Sequence, residues 1–220
     1  MATTPVDQHR RSVAATLRRR PDISPNLLHL ARGDTRAAAF ASLRTIVAER
    51  RLHATTDSIR GGYRCVSFTE APVKQLRDVY RWSAEHDPRF QPYGVLLGKD
   101  YLYAVGGRPV IYESDAEYEK LPETLRYRHA RYDPLADPPV DFTWEREWRL
   151  HADVLFLEPE RCCIVVASEA DRVTLLTEHA EHEELRLETL APEVGSSLAG
   201  QFSESFPWPV LSLDVPDVTD

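Results

Sequence analysis

Cysteine, glycine and long apolar runs are all scarce in this 220-residue chain. The three cysteines are Cys65 and the adjacent Cys162 and Cys163, with no CxxC spacing anywhere. Neighbours on a strand face opposite sides of a sheet, so the CCIVVA run predicts separate packing roles rather than a shared metal or a disulfide framework. The only double glycines are Gly61-Gly62 and Gly106-Gly107, and neither GxGxxG nor GxxxxGK[ST] occurs. A dinucleotide-binding Rossmann domain and a P-loop enzyme are therefore disfavoured. No GxSxG elbow exists either, which argues against a Ser–His–Asp hydrolase. No apolar run approaches the roughly 18 residues of a membrane span, and MATTPVDQHRR has no apolar signal core. A cytoplasmic protein without membrane association is the expectation.

What is present is a chain that can bury a core, 42% hydrophobic and 28% charged. Its formal charge of −8, from 27 basic and 35 acidic residues, opposes bulk coating of nucleic acid and leaves room for a local basic site. The charge is unevenly placed. Arg10, Arg11, Arg18, Arg19 and Arg20 precede residue 21, whereas EHAEHEELRLE at 178–188 and the tail SLDVPDVTD are acidic. This divides the chain into a basic arm at 1–24, a core at 25–170 and an acidic α/β extension at 171–220 packed on that core.

Periodicity and punctuation give the elements. NLLHLA suits a first strand. Asp34 or Thr35 can cap a helix carrying Phe40, Leu43, Ile46 and Val47. YRCVSFT reads as a strand, Pro72 opens a helix that Pro88 ends, and YGVLL is a strand. KDYLYAVGG predicts a short helix before the strand PVIYE, and 114–141 an exposed excursion. WEREWRLH, VLFL and CCIVVA add strands, 169–182 reads as a helix, and LRLETL and PVLSLDV carry β character. Helices come early and strands cluster later, which predicts an α+β fold with a mixed or antiparallel sheet and flanking helices.

Three polar clusters interrupt the apolar strands: His29 with Arg32 nearby, Ser67-Phe68-Thr69-Glu70, and Trp144-Glu145-Arg146-Glu147-Trp148-Arg149. Alternation places Ser67 and Thr69 on one face, and Glu145, Glu147 and Arg149 on one face with both tryptophans opposite. His29 also suits a satisfied core histidine, the two hydroxyls a helix cap, and the acid–acid–base row a solvated ladder.

The order His, Ser-x-Thr, Glu-x-Glu on successive strands resembles the ADP-ribosyltransferase superfamily. More locally, CVSFTEAP, YGVLLGKDYLYAVGGRPVIY and EREWRL resemble the bacterial AbiGi-type and DUF2971-type families of phage-defence and toxin–antitoxin systems, over roughly residues 27–167. The resemblance implies a split sheet of ADP-ribosyltransferase type and NAD+ as co-substrate, with no metal. By the same resemblance His29, with Arg32, would bind the adenosine ribose or diphosphate, and Ser67 and Thr69 would brace the nicotinamide ribose. Glu147 would hold the 2′-hydroxyl and stabilise the cationic sugar, as carboxylates do in glycosidases. Glu145 would help to activate the acceptor, a protein or nucleic acid of unknown identity. Tyr63 and Tyr93 are candidates for stacking on nicotinamide, and the reach of Tyr80 and Trp82 stays open.

Two other readings compete. Glu178, His179, His182 and Glu183 offer a metal site if the two histidines share a helix face. A non-catalytic binding module, such as an antitoxin or abortive-infection partner, would keep the sheet and use the Glu-x-Glu row for an interface.

Overall fold

A computed structural model describes residues 23–70 and 91–214. The basic arm up to residue 22, the helix expected at 72–88 with Tyr80 and Trp82, and the end of the acidic tail lie outside the described residues. The described part is a mixed α/β fold built on a seven-stranded sheet of order β11-β10-β4-β1-β3-β8-β5. Its strands are β1 (Asn26–Leu30), β3 (Cys65–Thr69), β4 (Gly94–Gly98), β5 (Arg108–Pro109), β8 (Glu147–His151), β10 (Cys162–Val166) and β11 (Val210–Ser212). All neighbours run antiparallel except β10 and β11, which are parallel. Two small ladders flank it, β2 (Arg51–His53) with β9 (Val154–Phe156) and β6 (Ile111–Glu113) with β7 (His129–Arg131).

Alternation within the central strands sorts the sheet into two faces. One carries Leu27, Val66, Phe68, Val95, Leu97, Trp148, Leu150, Ile164 and Val166, which join the principal core. Helix α1 (Arg36–Glu49) contributes Ala39 and Leu43 to it, and α2 (Lys99–Ala104) contributes Leu102. Thr35 caps α1 by accepting from the Ala38 N–H at 3.1 Å. The two adjacent cysteines obey the same rule: Cys162 joins the principal core, while Cys163, half-buried, takes the opposite side of β10.

The long helix α5 (Glu169–Val194) starts from a capping box in which Ser168 and Asp171 satisfy each other's backbone N–H groups. It runs through LRLETL, where a strand is the sequence expectation. Arg186 explains the continuation: it pairs with Glu183 one turn back and donates to the Phe202 carbonyl, tying the helix to the returning chain. That return contains α6 (Ser196–Ala199) and leads through the buried Trp208 to β11.

The excursion expected at 114–141 is not wholly exposed. It holds the short helices α3 (Asp115–Tyr118) and α4 (Glu123–Arg126) and strand β7, and it buries Tyr118, His129 and Ala130. The His129 imidazole donates between the carbonyls of Glu113 and Ser114 and meets the Tyr118 ring edge-on. Among the described residues no helix is long and apolar enough to cross a membrane.

Candidate functional site

The strands bearing the three polar clusters are consecutive neighbours in space, β1-β3-β8, although they are far apart in the chain. The two junctions differ. Along β3 and β8 five residue pairs oppose one another, with Thr69 facing Glu147, Ser67 facing Arg149 and Phe68 facing Trp148. Among the described residues one pair, Leu28 with Thr69, opposes between β1 and β3, whereas β1 and β4 oppose over five pairs. Among the described residues the sheet is therefore thinly paired at one seam, β1 with β3, and His29 lies beside it.

The His29 Nδ1 lies 2.8 Å from the Ser67 carbonyl oxygen. A carbonyl only accepts, so Nδ1 carries the hydrogen and Nε2 of the neutral ring is an acceptor. Burial lowers the His29 pKa from 6.5 to about 4, with Arg32 nearby acting in the same direction, so the ring is neutral at pH 7. Its edge contacts Phe68, with centroids 5.7 Å apart.

Cross-strand register places Ser67, Thr69, Glu147 and Arg149 on one face, since directly opposed residues share a side. The Arg149 guanidinium, 4% exposed, grips both oxygens of Glu147: Nε to Oε1 at 2.8 Å and Nη2 to Oε2 at 2.9 Å. Its Nη1 donates to the carbonyls of Tyr127 at 3.0 Å and His129 at 2.7 Å. A carboxylate has about four lone-pair positions, so this fork leaves acceptor capacity on each Glu147 oxygen. The Glu147 N–H donates to the Tyr112 hydroxyl at 2.8 Å, and burial pushes that phenol up to about 12. No strand pairing places His29 with this row. Alternation puts its ring on the Phe68 and Trp148 side, where it reaches the row through the Ser67 main chain.

Glu145 does not lie on the strand. Residues Thr143–Glu145 form a 3-10 turn, Arg146 takes a left-handed conformation at φ 46°, and β8 begins only at Glu147. The expected row of Glu145, Glu147 and Arg149 is thus reduced to the last two, with the Glu145 carbonyl accepting from the Thr69 hydroxyl at 2.5 Å. The tryptophans also part company, Trp148 being buried and Trp144 exposed. Arg32 is a surface residue paired with Asp57 and donating to Thr55. Tyr93 packs its ring on Phe40 and donates its hydroxyl to Asp171 in the α5 cap, 3.2 Å away. Tyr63 lies edge-on to His151, at the far end of β8 from Glu147.

Sequence reasoning named Glu70 within a polar cluster without giving it a role, and passed over Tyr112. Glu70 holds the Lys99 ammonium and accepts from the Trp148 indole, linking the end of β3 to the start of α2 across the other face. Tyr112 and the carbonyls of Tyr127 and His129 complete the Arg149 surroundings; main-chain acceptors leave no residue-type signal. The histidines of α5 diverge. His179 donates to the Glu204 carbonyl and lines a groove of about 710 Å³ with Leu176, Glu183 and Phe206, whereas His182 lies with Leu185 and Thr189 on another flank. Among the described residues no group of three or more His, Cys, Asp or Glu side chains is placed to hold a metal ion.

The chain matches no family model, no curated protein and no solved structure.

Proposed function

We propose that the chain is an NAD+-dependent ADP-ribosyltransferase acting on a macromolecular acceptor, in a phage-defence or toxin context, with a split sheet of that type. One observation carries the reading: the strands of His29, Ser67-x-Thr69 and Glu147 are adjacent, with Thr69 opposed to Glu147 and a seam at β1 and β3. A neutral His29 offers Nε2 to a ribose hydroxyl. Glu147 offers its remaining lone pairs to the 2′-hydroxyl of the reacting ribose. In the reaction the bond from ribose C1′ to the nicotinamide nitrogen breaks, and its electron pair leaves with nicotinamide. The acceptor heteroatom then bonds to C1′ and gives up its proton to water. A carboxylate held as an ion pair beside that carbon stabilises the positive charge that develops there.

The test is NAD+ turnover and label transfer from NAD+ to cell extract, with and without Glu147→Gln. A fall on the order of 10²–10³ in rate is expected. Wild-type protein that neither cleaves NAD+ nor labels any acceptor would remove the reading.

A second reading, a non-catalytic partner such as an antitoxin, is favoured by one observation. Both oxygens of Glu147 already serve Arg149, a structural use that needs no substrate. Expression in cells separates the two: toxicity abolished by Glu147→Ala supports the transferase, and a harmless protein that co-purifies with a toxin supports the partner.

A further inference from the structure

The Arg149 guanidinium has two sets of bonds pointing in different directions along one rigid plane. Nε and Nη2 take the Glu147 carboxylate, and Nη1 takes the Tyr127 and His129 carbonyls. The two carbonyls belong to the segment that follows α4 and enters β7, outside the central sheet. That segment has its own fixings, since β7 pairs with β6, and His129 staples the carbonyls of Glu113 and Ser114. A second tie meets the same strand position: Tyr112, on β6, receives the Glu147 N–H. Side chain and main chain of Glu147 are thus both referred to the 111–131 module rather than to β8 alone. A planar fork transmits displacement, because moving the carbonyls that hold Nη1 tilts the nitrogens that hold the carboxylate.

We propose that Arg149 is a positioning residue that makes the orientation of the Glu147 carboxylate depend on the seating of the 111–131 module. This rests on the transferase reading for its catalytic consequence, and on geometry alone for the coupling.

The coupling is reciprocal, so it is read without any activity. Hydrogen exchange of the full-length protein is followed for amides 127–131 in wild type, Glu147→Gln and Arg149→Lys. Both variants are expected to exchange there roughly tenfold faster, from losing charge-assisted hydrogen bonds. Unchanged exchange in either variant, with the fold intact by circular dichroism, overturns the coupling. In NAD+ cleavage, Arg149→Lys keeps the charge and loses the fork. It is expected to lower kcat by about 10²-fold, with KM for NAD+ within about threefold. A variant that only melts earlier at unchanged kcat overturns the positioning role. Absence of NAD+ turnover in wild type speaks against the transferase reading alone, and the exchange data still decide the coupling.

Discussion

The His29 imidazole donates to the Ser67 carbonyl across the junction of β1 and β3, where among the described residues a single pair opposes. A side chain there supplies a bond where the ladder is sparse; the ring is neutral at pH 7, although Nδ1 donates in either charge state. His29 packs on the Phe68 face of the sheet, and the opposed Thr69 and Glu147 lie on the other.

Acid sensitivity follows from that neutrality. In the unfolded chain His29 takes a proton near pH 6.5, and in the folded protein only near pH 4. Between those values the unfolded state binds more protons, so stability falls as pH is lowered from 6.5 to 4 and the term is constant above 6.5. The full span is worth about 3 kcal/mol. Urea unfolding from pH 7.5 to 4 should show this slope in wild type, and His29→Gln should remove that component; an equal slope in both would show that His29 does not titrate in this way.

Breaking the Arg149 fork is expected to be costly. Arg149→Met leaves a sparsely exposed carboxylate and two carbonyls without their donor, for a loss of about 3–5 kcal/mol. Glu147→Gln strands the cation instead. The double variant should cost less than the sum of the two, because the charges are then removed together. Chemical denaturation of wild type and the three variants measures the cycle, and strict additivity would mean that the pair is not energetically coupled.

Gly94, on β4, faces the backbone of β1 on the side away from β3. A Cβ built there would lie 2.1 Å from the His29 carbonyl oxygen, inside the closest approach of any real contact. Gly94→Ala should therefore separate β1 from β4 and destabilise the fold by about 1–3 kcal/mol. Thermal unfolding checks it, and a melting temperature equal to wild type would show that the two strands can part at no cost.

Tyr93→Phe removes the hydroxyl that donates to Asp171 at the start of α5. A loss of about 1 kcal/mol is expected, with fraying of the first turn of α5 visible as faster amide exchange near Asp171. A protein as stable as wild type, with α5 unaltered, would mean that the capping box alone fixes that end.

Much of the framework was legible because the local signals agreed with the packing. The strands NLLHL, CVSFT, GVLLG and CCIVV alternate or run apolar as half-buried and buried strands do, and Thr35 and Gly106 bracket α1 and α2 as cap chemistry requires. The residue order of the candidate site was legible too. Its geometry was not. Alternation through WEREWR assumed a continuous strand, and the left-handed turn at Arg146 breaks the register between Glu145 and Glu147. That turn leaves no glycine or proline to announce it. The α5 helix outran its reading because Arg186 and Glu183 bond to residues about 20 positions later, beyond any window of periodicity. For the same reason Arg149 was visible as a charge beside Glu147, while the carbonyls that hold its other side were invisible.

The order of strands in space bears on how the protein is made. Synthesis delivers β1 first, with two open edges, and it gains β3 and β4 only when residues 69 and 98 have emerged. Glu147 arrives later still, and β11 covers the exposed side of β10 after residue 212. A nascent or truncated chain ending before β8 carries the histidine and the hydroxyls without the carboxylate. Elongation itself keeps the candidate site incomplete until residue 147 has emerged.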